Sequence, residues 1–295
     1  MKRTIDTTGV DAENVEAAEA WSGPLFETFL RYRSLVAEGA GAHGEAAIAG
    51  DPPARGAHVI DLGCGFGETT RRLAELVGAE GLAVGTDFSP PFIEVARREA
   101  AADGVTNVEF RVDDVQTADL GGPFDYAFSR MGIMFFADPV AALRNVRSAL
   151  RPGGLLTAVV WRRKPDNEWA HRAEKVVEKY LEPADPAGDP TPGPGPFSMA
   201  DADVVSEQLK LAGFEAITLR RCDLPVKLGH DLDAAVEFNL ALGPAAAALR
   251  GREDPADDLR LTIAAEIRSA IADFDGPDGV WAPASTWIIG ARNTG

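Results

Sequence analysis

The sequence predicts an α/β fold, a doubly wound and mostly parallel sheet, and three observations carry that prediction. Short apolar runs alternate with helix-length amphipathic stretches from residue 57 to residue 161, the pattern that lays helices on both faces of a parallel sheet. The first apolar run, Val59-Ile60-Asp61-Leu62, opens directly into Gly63-Cys64-Gly65-Phe66-Gly67 and a helix-forming stretch. Glycines there let the backbone turn tightly and approach a ligand where a Cβ would clash. Acids then close successive strand segments, at Asp61, Asp87 and Asp113-Asp114, and in an open sheet ligands bind outside those carboxyl ends.

The elements follow in order. Residues 1–14 are polar and expected to fray. Residues 15–48 read as helical, with Trp21, Leu25, Phe29, Tyr32, Leu35 and Val36 at spacings of three and four, until Gly50-Asp51-Pro52-Pro53 breaks the pattern. The core then reads strand 57–62, helix 68–77, strand 82–87, helix 90–102, strand 108–112, strand 124–130, helix 138–150 and strand 154–161. Pro90-Pro91 stands where a helix begins, a position that tolerates proline. Arg151-Pro152-Gly153-Gly154 reads as the turn between a helix and a strand. Beyond it, 168–181 is helical and 183–196, rich in proline and glycine, is a stiff irregular loop. A helix over 200–212 with Ser198 as its cap, a strand over 215–221, helices over 231–249 and 256–274, and a strand over 285–291 complete the chain. No internal repeat is visible.

The first loop favours one kind of ligand over another. Dinucleotide sites use G-x-G-x-x-G/A and leave a helix N-terminus free for pyrophosphate. Here the spacing is G-x-G-x-G and the next residue is Glu68, a carboxylate that suits the helix dipole but repels phosphate. With Asp61 on the other side, the site suits a cation without phosphates, and S-adenosylmethionine, with its sulfonium and ammonium, fits. Asp87, at the end of the next strand, is placed to accept from ribose hydroxyls, which holds equally for a nicotinamide cofactor. An acid of the pair Asp113-Asp114, followed by the apolar Val115, is suited to an adenine amino group and ring, and the two acids are not told apart by the residues alone. The strand that ends at Arg130-Met131 finishes beside the methyl-transfer position if the strands are parallel.

Asp61-Leu62-Gly63-Cys64-Gly65-Phe66-Gly67, Asp87, Asp114-Val115 and Leu150-Arg151-Pro152-Gly153-Gly154 resemble the ordered motifs of class I S-adenosylmethionine-dependent methyltransferases. The subgroup most similar is that of the ubiquinone and menaquinone biosynthesis methyltransferases. Phe128-Ser129-Arg130-Met131-Gly132-Ile133-Met134-Phe135-Phe136-Ala137-Asp138-Pro139 looks like a bacterial small-molecule branch of it. The resemblance implies a Rossmann-like methyltransferase fold with a seven-stranded sheet whose last two strands form an antiparallel hairpin. It implies a helical cap segment over 1–50, a cofactor-binding core over 51–165, and the remainder of the sheet over 166–295. Residues 231–280 would then be inserted in the hairpin and roof an acceptor pocket. It further implies that Trp21, Asp61, Gly63, Cys64, Gly65, Gly67, Asp87, Phe88, Asp114, Val115, Ser129 and Arg130 contact S-adenosylmethionine or its product S-adenosylhomocysteine. The acceptor would be a small, partly apolar molecule methylated on oxygen, carbon or nitrogen. The sulfonium is already activated, so position and a dry cavity matter most, and no catalytic residue is assigned.

Composition narrows the field further. A formal net charge of −17 argues against nucleic acid and anionic membrane as partners. Two cysteines, Cys64 and Cys222, build neither a disulfide framework nor a metal set, and the four histidines lack ligand spacing. Polar N-terminal residues and the lack of a long apolar run make a cytoplasmic monomer or homodimer the expectation. Bland readings stand beside the sharp ones. Trp161 and Trp169 are an aromatic wall or ordinary packing, Tyr32 packs, Met131 and Met134 belong to the core, and His171 is a surface-helix histidine or a proton acceptor. A non-catalytic adenosylmethionine- or adenosylhomocysteine-binding protein and, less favoured by the loop, a nicotinamide oxidoreductase are the competing functions.

Overall fold

The computed structural model describes residues 10–181, 194–249 and 257–295. A 3-10 turn at Ala12–Asn14 leads into α1 (Val15–Ser22), α2 (Pro24–Arg31) and α3 (Arg33–Gly50). The helical run expected over 15–48 is therefore broken twice. The Gly23 N–H closes α1 onto the Ala20 carbonyl, and Pro24 begins α2, where its missing N–H costs nothing. Tyr32 ends α2 and turns the chain into α3.

The α/β core follows as β1 (His58–Leu62), α4 (Glu68–Val77), β2 (Leu82–Asp87), α5 (Pro90–Ala102), β3 (Val108–Val112), β4 (Phe124–Arg130), α6 (Pro139–Ala149) and β5 (Leu150–Trp161). The remaining elements are α7 (Glu168–Val177), α8 (Ala202–Leu211), β6 (Glu215–Asp223), β7 (Val226–Gly229), α9 (Leu232–Ala241), α10 (Pro244–Leu249), α11 (Asp257–Ala270), β8 (Asp275–Gly276), β9 (Gly279–Ala282) and β10 (Ser285–Arg292).

Seven strands pair in the order β3-β2-β1-β4-β5-β10-β6. The first five are mutually parallel, and β10 runs antiparallel to both β5 and β6. Ile60 and Leu62 pack into one face with Leu143 and Val146 of α6, whereas Val59 packs into the other with Leu73 and Val77 of α4. Period-two alternation within β1 thus serves both helix layers. The strand order reverses at β1, where Asp61 pairs with Gly85 on one side and Phe128 on the other. A crevice opens outside the strand ends at such a switch point.

Several local expectations need correction. The helix expected over 200–212 begins at Ala202 and is capped by Asp201, whose Oδ1 accepts from the Asp203 and Val204 N–H groups at 2.8 and 3.2 Å. Ser198 instead donates to the Met134 carbonyl at 2.6 Å, because the chain there is still packed on the sheet. The helix expected over 231–249 divides at Leu242-Gly243, with Gly243 at φ +88°. The strand expected from 154 starts at Leu150, and the glycine turn is absorbed into it with a register shift against β4. The helix expected over 168–181 ends at Val177. Of the irregular loop expected over 183–196, residues up to 193 lie outside the described ones. Between β6 and β10 the insertion carries, besides its helices, a small sheet ordered β7-β9-β8. Its strands are too short for a periodicity signal.

Candidate cofactor and acceptor site

β1 delivers Asp61 to the switch point and the glycine loop turns there. Gly63, at φ +68°, and Cys64 both donate their N–H to the Thr86 carbonyl, at 2.8 and 3.0 Å, which ties the loop to the end of β2. A Cβ on Gly63 would lie 3.0 Å from the Gly132 Cα, so only glycine lets the loop pass the β4 end this closely. Gly67 has a different reason: its Cβ would strike the Phe110 ring at 2.7 Å. It is a packing glycine, and it does not border the cavity.

Three carboxylates converge on the crevice. Asp61 is 1% exposed, and its one hydrogen bond among the described residues comes from Thr70 Oγ1, at 2.7 Å on Oδ2. Burial pushes its carboxyl up to about 7, opposed by the Thr70 bond and by the nearby Arg130 charge. Asp87 accepts from the Gly65 N–H at 3.0 Å and the Ser89 N–H at 2.9 Å. It is half-buried at the mouth of the crevice, and the loss of water around it raises it to about 6. Asp114 accepts from the Gln116 N–H on Oδ1, and on Oδ2 from the Asn14 side-chain amide at 2.8 Å and the Asp11 N–H at 3.0 Å. The N-terminal turn is thereby anchored on the strand-end acid. The Cys64 thiol is buried and held far above its ordinary range by that burial, the condition of an inert thiol.

One continuous cavity of about 380 Å³ joins this edge to a roof. Among the residues expected to contact a cofactor, Trp21, Asp61, Gly63, Cys64, Gly65, Asp87, Phe88, Asp114, Val115 and Arg130 border it. Ser129 does not; its Oγ donates to the Leu62 carbonyl at 2.8 Å and accepts from the Ile133 N–H at 3.3 Å, clamping the turn that follows β4. Trp21 packs on Phe29 and Phe135 at ring-centroid separations of 5.0 and 5.1 Å, so it is at once a packing residue and part of the wall. Trp161 and Trp169, with ring centroids 5.2 Å apart, also border the cavity.

Val226 and Leu228 of β7, Phe238 and Leu242 at α9, and Pro244 and Ala247 of α10 close the far side. The last four fall within 231–280, the segment expected to form a roof, though none was singled out; Val226 and Leu228 stand before that segment, on a strand too short to signal itself. Tyr32 is away from the cavity, packed edge-on against Phe238, and His171 does not border it. Met131 and Met134 are attached to the core and also border the cavity, with Met131 in the left-handed region at φ +61°. Non-glycine residues in that conformation concentrate at functional sites. Among the described residues no cluster of His, Cys, Asp or Glu is arranged to hold a metal, and no helix is long and apolar enough to cross a membrane.

Strand order, the glycine loop at the switch point and the strand-end acids define the class I methyltransferase fold. Comparison with known proteins agrees. Residues 53–183 match the methyltransferase domain family. The chain is 36% identical to aklanonic acid methyltransferase DauC of Streptomyces sp. over 35% of its own length and 47% of that protein's. It is 32% identical to nocamycin O-methyltransferase of Saccharothrix syringae over 59% of its length and 65% of that relative's. It is also 31% identical to a ubiquinone biosynthesis O-methyltransferase of Cereibacter sphaeroides, over 55% and 66%. In each case the chain spans less than two thirds of the relative. YcgJ of Bacillus subtilis superposes with a TM-score of 0.55 at 17% identity, covering 86% of this chain and all of that one. Phosphoethanolamine N-methyltransferase 2 of Haemonchus contortus, solved with S-adenosylmethionine, gives 0.52 at 15% identity over 86% of this chain and 53% of its own. Residues 53–183 are thus similar to a methyltransferase domain, on a fold shared with solved methyltransferases, and the relatives are themselves named as methyltransferases.

Proposed function

We propose that this chain transfers the methyl group of S-adenosylmethionine to a small, partly apolar molecule in the cytoplasm, with oxygen as the first choice of acceptor atom. The observation that carries this reading is the single cavity, which runs from the strand-end acids to an aromatic roof. Bound there, the cofactor would supply an already activated methyl group. The residues fit it: the loop passes where a Cβ on Gly63 would not, Asp61 keeps an oxygen without a hydrogen-bond partner among the described residues, and Asp87 is fixed by two N–H bonds. Asp61 would face the ammonium group, Asp87 the ribose hydroxyls, and Asp114 with Val115 the adenine end. Trp21 and the roof would exclude water and align the acceptor for in-line attack. The relatives named as O-methyltransferases support the choice of oxygen.

Titration of the purified chain by calorimetry with S-adenosylmethionine, S-adenosylhomocysteine and NADH tests the reading. Micromolar affinity for the first two and none for NADH is expected. A screen of phenolic, enolic and carboxylic acceptors with methyl-labelled donor should then show turnover. Binding without any transfer across that screen would favour a non-catalytic binder, and binding of NADH alone would overturn the reading.

A further inference from the structure

The roof half of the cavity holds a polar side-chain group that the protein leaves unused. Of the five tryptophans, three place their indole N–H on the protein. Trp169 donates to Asn167 Oδ1 at 3.3 Å, Trp281 to the Asp278 carbonyl at 3.3 Å and Trp287 to the Ala200 carbonyl at 2.9 Å. Trp21 is only half-buried, so water can serve its N–H. Trp161 is 8% exposed and borders the cavity, and its N–H has no hydrogen-bond partner among the described residues. Nor is that nitrogen one of the fully enclosed orphan atoms, as Arg162 Nε and Tyr126 Oη are, so it opens on accessible space. A buried indole N–H ordinarily finds a partner, and leaving it without one costs stability. The Lys227 ammonium, also at the cavity, is spent on Glu38 at 2.7 Å.

The Trp161 ring is held in place from behind. Trp161 ends β5, and across the antiparallel pair it faces Thr286 of β10. Thr286 Oγ1 pairs with His43 Nδ1 at 3.0 Å, and His43 Nε2 pairs with the Leu224 carbonyl at 3.1 Å. The imidazole so fixed meets the Trp161 ring edge-on, with centroids 5.7 Å apart. Trp169 packs on the same ring at 5.2 Å. Asn167, which receives the Trp169 N–H, also receives the Ser285 N–H at 2.9 Å. Packing and hydrogen bonds of this kind set the direction of a binding group. Arg130 of β4 pairs with Val159 of β5, so Trp161, two residues on, stands at the carboxyl edge where the sheet passes into the roof.

Resting on the proposed function, we infer that the Trp161 N–H binds an oxygen of the methyl acceptor, and that the acceptor is a planar molecule bearing a carboxylate or a carbonyl. The cavity walls add ring surface from Trp169, Phe136 and Phe238. Among the described residues of the roof half, no carboxylate, amide or hydroxyl side chain borders the cavity to receive a proton donor. A donor without a side-chain acceptor beside it selects an oxygen that accepts. Trp161 in this role is a binding residue and takes no part in methyl transfer.

The test uses naphthoate, acetonaphthone and methylnaphthalene, each substituted at the same ring carbon, which carry a carboxylate, a carbonyl and no oxygen. Each is titrated into the unmodified chain and into Trp161→Phe, both saturated with S-adenosylhomocysteine. Phenylalanine keeps an aromatic ring and removes the N–H. S-adenosylhomocysteine affinity should stay within about twofold, which shows that the variant folds. Trp161→Phe should weaken naphthoate about tenfold and acetonaphthone about threefold, and change methylnaphthalene less than about twofold. In the nitrogen-labelled unmodified chain, the indole signal that vanishes in Trp161→Phe should shift when naphthoate is added. The same substitution at Trp169, whose N–H is already spent, should not discriminate among the probes. Loss confined to naphthoate would identify a carboxylate as the group bound, and loss confined to acetonaphthone a carbonyl. Equal weakening of all three probes would reduce Trp161 to packing and overturn the inference. So would unchanged affinity for both oxygen-bearing probes, or failure of both to bind the unmodified chain. Failure of the unmodified chain to bind S-adenosylhomocysteine would instead overturn the proposed function itself, and this inference with it.

Discussion

The strand-end edge and the roof are two halves of one cavity built by different means. At the edge, the ligand-facing groups lie on β1, β2, β3, β4 and the turns that leave them, and hydrogen bonds to backbone fix many of them: Gly63 and Cys64 to Thr86, Asp87 to Gly65 and Ser89, Asp114 to Gln116. At the roof, the side chains of α1, α2, β5, α7, β7, α9 and α10 that border the cavity are mostly apolar and meet by packing, with polar links such as Arg31 to Glu237 at the exposed rim. An edge made of hydrogen-bonded backbone holds its geometry whichever acceptor is bound. A roof of interdigitated apolar side chains can change shape with substitution and leave the edge alone. On the proposed function the cofactor end and the acceptor end are therefore separable, and cofactor affinity is the quantity that separates them.

Asp87→Ala should have the largest effect on that quantity. It removes a half-buried acceptor and strands the Gly65 and Ser89 N–H groups. S-adenosylhomocysteine affinity is expected to fall about hundredfold, roughly 2–3 kcal/mol, with the circular dichroism spectrum retained. Unchanged affinity by calorimetry would remove Asp87 from the ribose site.

An intermediate effect should come from pH. Asp61 titrates near 7 in the folded chain because burial disfavours its charge. Ionised Asp61 is the form that attracts an ammonium, so cofactor affinity should rise as pH rises from 6 to 8, by about tenfold. Stability of the ligand-free chain should move the other way. A carboxyl raised above its unfolded value stabilises fully below the unfolded pKa of 3.8, and that contribution is lost as pH rises through about 7. Asp61→Asn should flatten both trends, measured by calorimetry and by thermal denaturation; persistence of the full affinity trend in that variant would assign it to another group.

Trp169→Leu should have the smallest effect on cofactor affinity. The ring is 9% exposed and packs on Trp161, so the substitution should cost about 2 kcal/mol of stability and alter the acceptor KM. S-adenosylhomocysteine affinity should stay within about twofold. A large drop would show that edge and roof are coupled and break the comparison.

The same division explains what was legible in advance. The glycine spacing, the acids at 61, 87 and 114, and the alternation over 57–161 are local, because a strand followed by a tight turn is set by residues adjacent in the chain. The first of the two breaks in the N-terminal helical run was also written locally, in Gly23-Pro24, yet the apolar periodicity ran across it and hid it. Asp201 as the cap of α8 lay within reach of the same reasoning that favoured Ser198. The contact between Asp114 and the N-terminal turn was not legible, since it joins residues about a hundred positions apart. Nor was the engagement of Arg33 with Glu68 and Glu99.

By itself the sequence determined the fold class, the place of the glycine turn and the strand ends at which charge would gather. These follow from backbone conformation and from hydrophobic period over a few residues. Tertiary structure alone decided that β7 and α9–α10 close over Trp161 and Trp169, and that Ser129 and Gly67 serve the loop from outside the cavity. Those outcomes depend on which distant surfaces bury one another. Packing of that kind is non-directional and leaves no fixed spacing in the chain.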